Sequence, residues 1–422
     1  MEDEQKLLVG FDLCNDYSQI ACYNYKTFEP ESICEEKNKE QYLIPTVLGV
    51  TNKEKEWVYG QEAIKLANLN GAYLVTDIIE LIEKNEEITI YDVNFTGTDL
   101  LERFLRKCLI ILKKIYPNES ILKIVFTLKA PNSLLREALH IALSNLGINE
   151  DRFYIQSHTQ SYLYYALSQR KELWTNDIGL FDFDESGMNY IQISINRNSN
   201  PIIVGTKYKD FSNQLTYHML TESSNLDEIR YIFEDITKTA LNKQIISTIY
   251  MTGKGFEDNW ADDLIASLCV GRRIFKGQNL YVKGACYTAR ELAIESKLKN
   301  FLFLTDEMVD SDILMRVYYD AGIVEVTLAS AGNPWYNIES CFDIILDDEQ
   351  EIEVIIRNIL NGNETSQIIA LEGIVNEPNK TARVQLRTKF EDNKTCIIAV
   401  KDQGFGEFYP SSNRIWEQMI YL

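Results

Sequence analysis

Apolar and polar positions along the chain change period several times. Leu7-Leu8-Val9-Gly10-Phe11-Asp12-Leu13 is a short apolar run of strand type, Cys14-Asn15-Asp16-Tyr17 is a polar turn, and Ser18 to Tyr25 is a second run. Together they predict a β-hairpin. Short strands follow at 43–50 and 57–59. The period then becomes helical at 61–69 and at 98–116, where Leu100, Leu101, Phe104, Leu105, Leu109 and Leu112 share a face. From Leu122 the pattern reads strand (122–128), helix (131–146), strand (153–156), helix (159–169). Pro131 suits a first turn and Gly147 a helix end.

A second unit opens with another hairpin at Ile178–Phe183, with strands at 190–195 and 201–207. Helices at 213–222 and 226–241, a strand at 248–252, and helices at 259–268 and 284–297 complete it. Such alternation predicts an α/β body. After Asn300 the texture changes to seven short runs, at 317–319, 323–328, 342–346, 351–356, 365–371, 382–390 and 395–400. That spacing predicts a separate β-sandwich.

Composition narrows the picture. At 422 residues the chain is long enough for two or three domains. The formal charge of −21, spread along the chain, repels phosphate backbones and anionic surfaces, so nucleic acid is not an expected partner. Eight cysteines without a C-x-x-C pair, and only three histidines, give no metal-binding spacing. His140, His158 and His218 read as ordinary surface or core histidines. The acidic start lacks the apolar stretch of a signal peptide, and no apolar run is long enough to span a bilayer. A cytoplasmic protein without membrane insertion is expected.

Two strand–turn–strand units, each ending its first strand in Asp, can aim backbone N–H groups at phosphate oxygens and hold a Mg²⁺ near Asp12 and Asp182. The order of motifs resembles the 70-kDa heat-shock chaperone family. Gly10-Phe11-Asp12-Leu13 is similar to its G-I-D-L-G-T-T loop, Ile44-Pro45-Thr46-Val47 to I-P-S-x-V, and Tyr59-Gly60-Gln61-Glu62-Ala63 to V-G-x-x-A. Thr159 to Leu167 resembles the E-P-T-A-A-A-x-A-Y-x-L helix, Asp182 the Asp of D-L-G-G-G-T, and Asp210-Phe211-Ser212-Asn213-Gln214-Leu215 the D-F-D-N-R-L segment. Thr252-Gly253-Lys254-Gly255 resembles the adenosine-side V-G-G-S, and Lys283-Gly284-Ala285 the A-x-G-A-A of the closing helix. In the β-region, Leu371-Glu372-Gly373-Ile374 and Ile398-Ala399-Val400-Lys401-Asp402-Gln403-Gly404 look like L-x-G-I and V-x-A-K-D-x-x-S-G.

The resemblance implies an actin-like (ribonuclease H-like) two-lobed α/β ATPase body followed by an all-β sandwich. Its lobes would occupy 1–170 and 171–299 and its sandwich 300–412, with 413–422 a tail and no helical lid. It implies ATP and Mg²⁺ at Asp12, Asp182, Gly253 and Gly255, and an apolar peptide pocket at Ile345, Ile352 and Val354.

The departures share a theme. Gly-Thr-Thr of the first loop is Cys14-Asn15-Asp16, and Gly-Gly-Gly-Thr of the second is Asp184-Glu185-Ser186-Gly187. Asn189 stands for a metal-holding Asp, Ser157 for the Glu of E-P-T-A, and no catalytic lysine can be placed between Ala63 and Glu83. Asp16, Asp184 and Glu185 put carboxylates where phosphate oxygens would lie. A like-charge pair about 5 Å apart costs roughly 3 kcal/mol at an effective dielectric of about 20. The segment before Thr252 is also too short for the subdomain that covers the base. The sequence therefore predicts a chaperone-like, protein- or peptide-binding protein with an eroded nucleotide site, without hydrolysis and without a required cofactor. The alternatives are an active Mg²⁺-ATP-dependent ATPase and an actin-like structural scaffold.

Overall fold

The computed structural model describes residues 6–34, 42–222, 225–294, 296–347, 350–374 and 380–422. The acidic start at 1–5 lies outside them. The chain divides into two units, Met1–Ser194 with Lys207–Lys299, and Ile195–Thr206 with Asn300–Leu422. The expected lobe at 1–170 lies inside the first unit, and that at 171–299 does so except for Ile195–Thr206, which belongs to the second.

In the first unit β1 (Leu7–Asp12) and β2 (Tyr17–Asn24) form the expected hairpin, extended by β3 (Glu29–Ser32) and touched by β4 (Ile44–Pro45). β5 (Leu48–Thr51), β6 (Trp57–Tyr59) and β7 (Ala72–Val75) make a small sheet beside α1 (Gly60–Asn68). After α2 (Ile78–Glu83) and the hairpin β8 (Glu87–Ile90) and β9 (Val93–Thr96) comes α3 (Gly97–Ile115). Its cap is Thr96, which forms a reciprocal capping box with Asp99 and starts the helix ahead of Thr98. β10 (Ile121–Leu128) runs parallel to β1, α4 (Ser133–Asn145) ends where Gly147 turns left-handed at φ +77°, and β11 (Phe153–Ser157) runs parallel to β10. α5 (His158–Ser168) follows at once, capped by Ser157. The sheet order is β11-β10-β1-β2-β3.

The second half repeats this order. β12 (Asp177–Asp184), β13 (Gly187–Asn196) and β14 (Ile202–Asp210) lie side by side; α6 (Tyr217–Glu222) and α7 (Leu226–Leu241) lead to β15 (Ile246–Thr252), parallel to β12. α8 (Asp262–Leu268), β16 (Arg273–Lys276) and α9 (Leu280–Ala293) close it, with β16 parallel to β15. The order β16-β15-β12-β13-β14 matches β11-β10-β1-β2-β3 strand for strand. The shape follows from alternation along the central strands. Val9 and Phe11 of β1 enter a core with α3 and α4, whereas Leu8 faces α9. Asp12 continues the Leu8 and Gly10 face. In β12 Phe181 and Phe183 enter a core with α7, which leaves Asp182 on the other face. Helix α9 begins at Leu280, ahead of the Gly284 expected from the sequence, and that extra turn carries Tyr281.

In the second unit β17 (Phe301–Leu304) runs parallel to Ile202–Gly205. β18 (Ser311–Tyr319), β19 (Gly322–Ala329), β20 (Glu339–Ile345), β21 (Glu351–Asn358), β22 (Glu364–Ala370), β23 (Arg383–Phe390), β24 (Thr395–Asp402) and β25 (Ile415–Tyr421) complete the strands. They form two four-stranded sheets, β19-β18-β21-β22 and β20-β23-β24-β25. Ile313, Met315, Val354, Ile356, Val384, Leu386, Ile398 and Val400 share a buried core.

Two expectations are corrected here. The tail at 413–422 is instead the edge strand β25, paired to β24 along its length with Ile420 fully buried; the exposed Gln418 on its inward row hides the alternation. The runs expected at 317–319 and 323–328 are the ends of a longer hairpin, β18–β19. Its tip, past the β21 pairing that ends at Met315, presents Tyr318, Tyr319 and Ile323 to solvent.

Candidate functional site

Because Asp12 and Asp182 leave their strands on the faces turned away from the aromatic cores, both carboxylates are buried beside α5 and α9. Nε2 of His158, the first residue of α5, donates to Asp12 Oδ1 at 2.8 Å. The Cys14 thiol donates to the same oxygen at 3.4 Å and lies 3.9 Å from His158 Nε2. The Tyr281 ring stacks on the imidazole, with centroids 3.9 Å apart and planes 11° from parallel. Its hydroxyl donates to Asp182 Oδ2 at 2.6 Å. A continuous chain thus links the two strand aspartates, although β12 runs two residues beyond Asp182: Asp12, His158, Tyr281, Asp182.

Electrostatics follow from burial. Burial first, then the charge of Asp184, pushes the Asp182 carboxyl up to about 6, against the hydrogen bond from Tyr281. Burial, with Asp12 and Asp16 nearby, holds the Cys14 thiol well above its ordinary value. Burial and the Asp182 carboxylate raise the Tyr281 phenol likewise.

The turns that follow the aspartates are tied down by lysines. Lys254 Nζ reaches Asp16 at 2.6 Å in the first turn and Glu185 at 2.7 Å in the second. Burial works to lower the ammonium pKa, but the bonds and charges of the two carboxylates prevail and raise it above its ordinary value. Lys129, just past β10, binds Asp184 at 2.7 Å and also donates to Ser186. Its ammonium too is raised, burial opposing and Asp184 prevailing. Gln278 completes the clasp: its side chain exchanges hydrogen bonds with the backbone of Gly253, and its carbonyl accepts from Gln19 Nε2 at 2.9 Å.

A Mg²⁺–nucleotide does not fit this arrangement. The groups beside Asp12 are a thiol and an imidazole rather than the oxygens that Mg²⁺ demands, and Asp182 accepts from Tyr281. The turn carboxylates that would face phosphates are held by lysines of the same chain. Gly253 and Gly255 do not line an open cradle either. A Cβ on Gly253, at φ +96°, would stand 2.3 Å from the Phe183 carbonyl oxygen, and one on Gly255 2.2 Å from the Phe183 ring. These glycines let the turn that follows β15 close on Phe183 of β12.

The expected peptide pocket is not brought together. Ile352 and Val354 of β21 point into the sandwich core, while Ile345 of β20 is exposed and belongs to the other sheet. Apolar alternation alone cannot tell an inner face from a cleft lining. His158, Tyr281, Lys129 and Lys254 were not singled out as site residues from the sequence. One signal was present: Lys254 replaces a motif glycine just where two neighbouring loops gain acidic residues.

Residues 29–306 match the family described as "Family of unknown function (DUF5716) C-terminal", and residues 308–422 match "Domain of unknown function (DUF8552)". No curated protein matches the chain. Among the described residues no helix is long and apolar enough to cross a membrane.

Proposed function

The chain belongs to the DUF5716 C-terminal family, a family of unknown function, and from that premise we propose that it is a chaperone-like, protein-binding pseudo-ATPase. Its body is of the actin-like kind, with the nucleotide cleft replaced by an internal clasp. Two halves repeating one strand order, each opened by a hairpin whose first strand carries the buried aspartate, support that architecture. The observation that carries the reading is the Asp12–His158 and Tyr281–Asp182 chain, together with Lys254 bridging the two turns. Groups that would serve a phosphate and its metal satisfy one another instead.

With catalysis gone, the exposed surface becomes the functional part. On the sandwich unit, Tyr318, Tyr319, Ile323 and Val324 cluster at the tip of the β18–β19 hairpin, where only one partner strand supports each residue. Solvated apolar side chains on a projecting ribbon fit a protein or peptide partner. Two assays test the reading. The purified chain should release no phosphate from Mg²⁺-ATP above buffer; release that disappears with Asp12→Asn would overturn the pseudo-ATPase assignment. A Tyr318→Ser/Ile323→Ser double variant should keep the wild-type melting temperature yet lose binding to apolar peptide or an unfolded client. Unchanged binding would remove the hairpin tip from the account.

A further inference from the structure

The clasp contains a third donor that an Asp–His hydrogen bond does not need. The oxygen, sulfur and nitrogen of Asp12, Cys14 and His158 lie within 4.8 Å of one another, at separations of 2.8, 3.4 and 3.9 Å. Tetrahedral zinc, with Zn–S near 2.3 Å and Zn–N and Zn–O near 2.0–2.2 Å, places such donors about 3.3–3.6 Å apart. Each side of the triangle is therefore within about half an ångström of that geometry. We propose that Asp12, Cys14 and His158 bind a divalent transition cation of the zinc class, at the place where the sequence resemblance would put Mg²⁺.

The chemistry of the donor set selects the ion. A thiolate and an imidazole favour zinc-class metals, whereas Mg²⁺ demands an octahedral shell of oxygens. The donors are also held in place. Asp12 is fixed by the β1 ladder, Cys14 by the turn two residues on, and the His158 ring by the Tyr281 stack. A separate observation lies beside the triangle. Gln19, directly opposite Asp12 in the β1–β2 ladder and buried, has an Oε1 with no hydrogen-bond partner among the described residues. Opposite residues of an antiparallel pair share a face, so this acceptor sits on the Asp12 side of the sheet. A fourth position can go to it or to water. Binding releases the Cys14 thiol proton and requires the His158 proton to pass from Nε2 to Nδ1, so affinity rises with pH.

The test uses the full chain, stripped with chelator and kept reduced by a phosphine. Calorimetric titration with Zn²⁺ should show about one equivalent bound with a Kd of about 1 µM or tighter, and Co²⁺ should produce a thiolate charge-transfer absorption band. Cys14→Ser should abolish that band and weaken Zn²⁺ by about tenfold or more, with His158→Asn weakening it similarly. Cys269→Ser and Cys341→Ser, at exposed thiols, should change neither signal. Melting of the metal-free variants checks that each is folded; Cys14→Ser, the smaller change, suffices if His158→Asn is not. No Zn²⁺ binding, or binding and a Co²⁺ band that survive Cys14→Ser, would overturn the site. Either result leaves the nucleotide assay of the pseudo-ATPase reading untouched.

Discussion

Asp182 shows how burial and pairing trade against each other at a single side chain. Its carboxyl titrates near 6 in the folded chain against an ordinary value of 3.8, so folding favours the protonated form. That preference stabilises fully below the unfolded value and is lost as pH rises through about 6. At neutral pH the buried charge is therefore a liability. Asp182→Asn keeps an acceptor for Tyr281 and removes the ionisation. Relative to wild type, its stability should rise between pH 4 and pH 7 by up to about 3 kcal/mol, read by urea unfolding at several pH values. Tyr281→Phe should act oppositely, costing about 1–3 kcal/mol by leaving the carboxylate without its donor, and more at pH 8 than at pH 5. Asp12 and Asp182 were legible in the sequence because an Asp closing an apolar run is a local pattern. Their partners were not. His158 is distant from Asp12 along the chain and Tyr281 from Asp182, and only the tertiary crossing of α5 and α9 brings them together.

At the scale of elements, one close approach decides whether the clasp can form. A Cβ on Gly284 of α9 would lie 2.0 Å from the Ser161 carbonyl of α5, so the helices touch there backbone to backbone. Gly284→Ala should push α5 and α9 apart, destabilise the chain by about 2 kcal/mol or more, and loosen the His158–Tyr281 stack, visible as a change in tyrosine fluorescence. The sandwich gives a different lesson. Its strands were readable from alternation, apart from β25, but alternation does not say which face is covered. Ile352 is buried at 3 % exposure, so Ile352→Asp should unfold the sandwich, costing more than about 4 kcal/mol. Ile345→Asp, at 52 % exposure, should shift stability by no more than about 0.5 kcal/mol in thermal or urea unfolding.

For the whole molecule, the two hairpins at Asp12 and Asp182 and the change of texture near Asn300 were legible in the sequence, whereas the strand order shared by the two sheets was not. The short α6–α7 connection between β14 and β15 also agrees with the brevity of that segment in the sequence. What the sequence left open was what the acidic turns at 14–16 and 184–186 pair with. In the structure the acidic turns are paired with Lys254 and Lys129, which converts mutual repulsion into cross-links between the halves. Most of the individual pairs are partly exposed and worth little alone. Together they cover the turns at which the proposed reading would otherwise seat a nucleotide. The direct test is a thermal melt of the purified chain with and without millimolar Mg²⁺-ATP or Mg²⁺-ADP. An unchanged melting temperature is predicted. A rise corresponding to about 2.7 kcal/mol, as a ligand at a hundred times its Kd would give, would contradict the closed clasp.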